Sequence, residues 1–304
     1  MHEKYLELKT RLAEIHDLNK VAGMLNWDQQ VIMPPRGAAV RAEQMASVGR
    51  IAHDKFTSVE IGRLLDELQS YEESQPYESD EASLIRVSRH DYIKASHVPS
   101  ELRGEMLRTA GLAHHAWAEA RHASDFGQFL PHLQKTVDLK LKYVECFDEA
   151  DELYDILLDD YERGMKTAEV RRIFDYLKEH QAPLVKEVAE RSQVEKREKT
   201  FDIDAQKVFE LEVVREFGFT ADAWRLDPTV HPFASGTGVT DIRITTRYFT
   251  NGLEGLFGTM HEFGHGLYEH QVDPSLERSP LARGVSLHPA ILISLDMPIQ
   301  TRPK

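Results

Sequence analysis

Two histidines four residues apart, with a glutamate beside the first, are the side chains of this sequence best suited to chemistry: His261-Glu262-Phe263-Gly264-His265. Positions four apart lie one above the other on a helix face, so both imidazoles can reach one cation. Zinc suits such a pair, being a borderline-soft ion with a tetrahedral preference. Glu262 is not needed as a ligand; it can take a proton from a water that the ion has acidified, and that water then attacks a polarised carbonyl. The plainer alternative is a coincidental pair in a chain with 15 His. Leu253, Leu256, Phe257, Met260 and Leu267 argue for a buried helix around the motif, with Gly258 and Gly264 admitting close neighbours.

A hydrolytic site of this kind takes a third ligand, usually a glutamate from a following helix. Glu269 follows His265 by one turn but lies on the same helix, where solvation or support of the histidines is its expected role. Glu277 falls in a loop after Pro274. The residues themselves therefore supply two ligands and a base.

The elements that must carry this site are mostly helical. Leu8, Leu12, Ile15, Ala22 and Leu25 mark an amphipathic helix that should stop before Pro34-Pro35. Met45, Val48, Ile51 and Ala52 carry a second, and Thr57 with Glu60 offers a capping box for a third through Leu64, Leu65 and Leu68. Further helices are expected over 82–96, 100–120, 128–150, 167–192 and 203–217, with Pro99 and Gly164 at breaks and residues 193–200 as a loop. Asp227-Pro228, His231-Pro232, Gly236 and Gly238 read as an irregular loop. The alternating run from Asp241 to Tyr248 is the one strand expected, pointing Ile242, Ile244 and Thr246 one way and Arg243 and Thr245 the other. A helix from about Leu253 to Tyr268 follows and bears the motif.

Composition removes several function classes. A net charge of −14 argues against a nucleic-acid partner and against adsorption to anionic membranes. No apolar run approaches a membrane span, and the charged N-terminus has no signal-peptide core. Cys146 is the only cysteine, so no intrachain disulfide is available. A cytoplasmic protein is the expectation.

The residues around the motif resemble the M32 family of metallocarboxypeptidases, of the thermostable carboxypeptidase Taq type, over residues 1 to about 287. Asp227-Pro-Thr-Val-His-Pro-Phe233 resembles the family's D-P-S-S-H-P-F, Asp241-Ile-Arg-Ile-Thr245 its D-x-R-x-T, and His261–His265 its zinc motif. Leu25-Asn-Trp-Asp-Gln29 with Met33-Pro-Pro35, and Leu157–Glu162 with Gly164-Met165, are similar to further family segments. The resemblance implies a mainly α, elongated, neurolysin-like fold with a small β-sheet beside a deep active-site groove. It implies a peptide substrate that loses single C-terminal residues, a zinc or cobalt ion held by His261 and His265, Glu262 as general base, and homodimers. Arg243 and His231 become candidates for substrate contact near the groove, beside the blander role of fixing a loop and a strand edge.

The resemblance then stops. Gly284-Val-Ser-Leu287 still matches, but His288-Pro-Ala-Ile291 stands where G-I-H-E is expected, placing Ile291 at the third-ligand position; Pro289 disfavours His288 as a substitute. The chain is expected to divide into a helical region (1–200), a catalytic region (201–287) and an unrelated tail (288–304), within one continuous domain. The reading is a C-terminally truncated metallocarboxypeptidase whose own turnover is in question. Two alternatives stand beside it: a catalytically dead helical remnant that binds a partner, and a metallo-oligopeptidase.

Overall fold

The computed structural model describes residues 1–148, 150–191 and 200–283. Most of the loop expected over 193–200, and the expectations for residues 284–287, His288, Ile291 and the 288–304 tail, fall outside the described residues.

Helix α1 (His2–Val31) buries Tyr5, Leu8, Leu12 and Ile15 on one stripe and ends ahead of Pro34-Pro35, where a 3-10 turn (Pro35–Gly37) redirects the chain. Helix α2 (Ala38–Phe56) differs from its expected face. Its buried ridge is Ala38, Ala42, Met45, Ala46, Gly49 and Ala52, whereas Ile51 is exposed. The expected capping box is absent. Thr57 Oγ1 donates back to the His53 carbonyl at 2.9 Å and closes α2, and Ser58 takes the N-cap position of α3 (Val59–Glu67). A short α4 (Gln69–Ser74) leads to α5 (Asp80–Ser96), started by Ser79, whose side chain accepts from the Ala82 N–H. Leu8, Leu12 and Ile15 pack with Ile61, Leu64, Leu65, Leu68, Leu84 and Ile85 in the first apolar core.

Helix α6 (Ser100–Ala123) follows Pro99 and lies closely against α2; a Cβ built on Gly111 would stand 3.4 Å from that of Ala42. Helices α7 (Phe126–Val144), α8 (Leu153–Asp159) and α9 (Thr167–Arg191) continue the array, with Gly164 at φ +77° between the last two. Helix α10 (Ile203–Glu216) then leads into the sheet region.

The expected irregular loop before Asp241 contains two strands. Strands β1 (Trp224–Pro228), β2 (Ala234–Gly238) and β3 (Asp241–Thr246) form a sheet of order β1-β3-β2, with β1 parallel and β2 antiparallel to β3. Pro228 and the glycines concealed them from pattern reading: Pro is tolerated on an edge strand, and a bulge between Gly236 and Gly238 breaks the alternation. Being central, β3 buries Ile242, Ile244, Thr245 and Thr246 together, so its expected two-faced pattern does not translate into one wet face.

Helix α11 (Glu254–His270) packs on this sheet. Its buried residues are Gly255, Thr259, Glu262, Phe263, Gly264 and Gly266, not the bulky stripe expected; Phe257 is 68% exposed. Small residues win because the helix lies so close: a Cβ on Gly266 would stand 2.6 Å from Trp224 Cζ3 and 2.7 Å from Ile242 Cγ2. Phe263 stacks on Trp224 at 4.8 Å and joins Val214, Phe219, Ile242 and Ile244 in a second core. Among the described residues no helix is long and apolar enough to cross a membrane.

Candidate metal centre

A groove of about 1030 Å³ runs between α1 and α11. His16, Asn19 and Lys20 of α1 form one wall; His261, Glu262 and His265 form the other; the segment leading into β2 closes an edge. Lys20 Nζ donates to the Gly236 carbonyl at 3.0 Å, tying the two walls together. The α1 residues were not singled out from sequence. Their signal was present, since His16, Asn19, Lys20 and Gly23 repeat at three and four residues beside the apolar stripe.

The two histidines converge. Their Nε2 atoms are 3.1 Å apart, with ring centroids at 4.7 Å and planes at 82°. Two nitrogens bound to one zinc ion at 2.0–2.1 Å and a tetrahedral angle stand about 3.3 Å apart. The pair therefore fits a shared cation with little adjustment. Burial, and secondarily His261, lowers the pKa of His265, which keeps that ring neutral and its lone pair available near neutral pH.

Glu262 belongs to both worlds: it is 8% exposed, on the buried side of α11, yet it lines the groove. Burial pushes its carboxyl up to about 7. A carboxylate in that range is matched to moving a proton at neutral pH, and a cation beside it would favour the ionised form.

The other candidates separate. His231 lines the groove, exposed and edge-on to Trp117 with centroids 6.5 Å apart. Arg243 is engaged elsewhere: its guanidinium makes two hydrogen bonds to Asp241 (2.9 and 3.0 Å) and lies 4.5 Å over Trp27 of α1, joining the sheet to that helix. Glu269 lies on the groove wall. Glu277 Oε1 accepts from the Val239 N–H at 2.7 Å and holds the β2–β3 turn. Among the described residues no third His, Cys, Asp or Glu completes a metal cluster with the pair.

The chain is similar to known proteins over nearly its whole length. Thermostable carboxypeptidase 1 of Thermus thermophilus is 33% identical over 299 residues, covering 94% of this chain and 58% of that protein. Among solved structures, BsuCP superposes with a TM-score of 0.91 at 29% identity, over 97% of this chain and 60% of the other. The Pyrococcus furiosus carboxypeptidase in its Apo-Mg structure gives 0.83 at 31%, again over 97% and 60%. The chain thus spans about three-fifths of the length of the relatives it matches. The family described as carboxypeptidase Taq (M32) metallopeptidase matches residues 7–289, which include the His261–His265 helix, the three strands and the groove wall of α1. By that match and those superpositions, the chain belongs to the M32 metallopeptidases.

Proposed function

We propose that this chain carries the metal-binding half-site of a carboxypeptidase that releases single residues from peptide C-termini, with zinc as the ion. The observation that carries the reading is the 3.1 Å approach of the His261 and His265 nitrogens on a groove wall, with the buried carboxyl of Glu262 beside them. His261 and His265 would hold the ion through Nε2, and a third donor would come from outside the described residues or from solvent. Zinc, when bound, acidifies water and polarises a carbonyl. Glu262 would accept the proton at its carboxylate and later return it to the leaving amine, a role its raised pKa supports. The groove, long and open between α1 and α11, suits an extended peptide.

The test is hydrolysis of peptides with free and amidated C-termini by the zinc-loaded protein, read by release of free amino acids. Release from the free form alone is expected. Equal cleavage of both forms would make it an oligopeptidase. That the described residues hold only two ligands favours a second reading, a helical module that binds a partner without turnover. Loss of zinc on dialysis with no amino-acid release would establish that one instead.

A further inference from the structure

Behind the histidine helix, on the side away from the groove, lies a buried acid that the proposed chemistry does not use. Glu210 of α10 is 1% exposed. Its Oε2 is 2.6 Å from Thr259 Oγ1, which is 2.7 Å from Thr246 Oγ1, and Thr246 Oγ1 is 3.2 Å from the Gly255 carbonyl. Both threonines are fully buried. Glu210 Oε1 has no hydrogen-bond partner, and no ion pair reaches Glu210 among the described residues. The titratable neighbour from the segment after β3 is the Tyr248 phenol, itself pushed up to about 12, first of all by burial.

Burial without a cation and the proton count together favour the protonated acid. Three oxygen–oxygen contacts run in series, with Thr246 also within reach of Glu210, and the two threonines supply one proton each. With an ionised Glu210, one contact has no proton between its oxygens, and a bare charge is buried beside an orphaned oxygen. With a protonated Glu210, every contact of the series is a hydrogen bond: Glu210 Oε2–H donates to Thr259, Thr259 to Thr246, and Thr246 to the Gly255 carbonyl.

We propose that Glu210 is a neutral carboxylic acid heading this relay, and that the relay is a positioning device which joins α10, β3 and α11 and so sets where His261 and His265 stand. Thr259 is two residues ahead of His261 and Gly255 lies in the first turn of the same helix, so the relay holds α11 at two points. Gly255 is part of the design, since a Cβ there would stand 2.9 Å from Glu210 Oε1 and 3.0 Å from the Arg247 carbonyl. Burial raises the pKa of the acid and outweighs the threonine hydrogen bonds, which lower it. The role toward the metal rests on the proposed function; the protonation state does not.

Two measurements separate them. Glu210→Gln keeps a donor to Thr259 without a charge, while Glu210→Leu and the milder Thr259→Val remove one link. Zinc dissociation constants should stay within about twofold in Glu210→Gln and weaken about tenfold or more in the other two, the scale seen when a ligand's outer partners are lost. In the metal-free proteins, the parent's melting temperature should fall relative to Glu210→Gln as pH rises above the ordinary carboxylate range, because the folded parent holds a proton that its unfolded chain releases. If Glu210→Gln binds zinc as poorly as Glu210→Leu and its melting tracks the parent at every pH, the neutral-acid relay is wrong. If Thr259→Val binds zinc like the parent, the positioning role is wrong. If the parent binds no zinc, the reading of the site fails, and the pH comparison still decides the state of Glu210.

Discussion

At the scale of single residues, the site is a contest between burial and charge, and Glu262 is where it shows. In the metal-free protein burial pushes its carboxyl up to about 7, so below that pH it is mostly protonated. A cation on the neighbouring imidazoles favours the ionised form, so loading must expel the proton. Zinc affinity is therefore expected to climb as pH rises toward 7, and to climb less steeply in Glu262→Gln. Titration calorimetry in two buffers of different ionisation heat counts the protons, and equal release from both proteins would contradict the assignment. The same variant should keep zinc affinity within a few-fold while lowering kcat by about 100- to 10,000-fold, the usual range for loss of a general base. His265→Ala should instead lose the metal, read by elemental analysis after dialysis.

At the scale of elements, the question is why α11 sits so near the sheet. Gly266 has no room for even one carbon between Trp224 and Ile242, both in the second core. Gly266→Ala is expected to destabilise the protein by about 1–3 kcal/mol through overpacking, despite alanine's better helix propensity. Gly23 on α1 is the control: a Cβ there meets nothing within 4 Å, so Gly23→Ala should stabilise by about 0.5–1 kcal/mol. Urea melts of the pair read both signs, and two changes of the same sign would mean propensity rather than packing governs α11.

At the scale of the whole molecule, the groove has walls from two separate apolar clusters. The α1 wall is anchored with α3 and α5, the histidine wall with α10 and the sheet. Lys20 to Gly236, Gln30 to Thr229, and Arg243 over Trp27 bridge them. Damage to the first cluster should therefore cost stability without disturbing the pair of histidine ligands. Leu64→Ala, at a fully buried position, is expected to cost about 2–5 kcal/mol and leave zinc affinity within about twofold. A tenfold loss of affinity in a folded variant would show that the clusters are coupled.

Much of this was legible in the residues. Helix α1 and its end before Pro34, the course of α5, α6, α9 and α10, and the helical placement of His261 and His265 follow from periods of three and four residues, proline geometry and local bonding, which act over a few residues and so are written in order along the chain; α7 instead stops at Val144, short of the expected 150, and α8 was not expected. The histidine pair needed only that local rule. What escaped was set by contacts distant in sequence. Strands β1 and β2 exist because β3 gives them a ladder to join, and neither carries a strong pattern alone. The buried face of α11 is largely glycine and threonine around Glu262 and Phe263 because a sheet and α10 press on it, and no periodicity of large apolar residues records that pressure. Arg243 and His231 belong to neighbouring motifs, yet one is bound to Asp241 and Trp27 while the other faces the groove. Sequence determined which helix could hold a cation, because that depends on residues one turn apart; tertiary structure alone decided which wall faces it, what the acid behind it touches and which charges remain free, because those depend on residues some fifty to two hundred positions away being brought within a few ångströms.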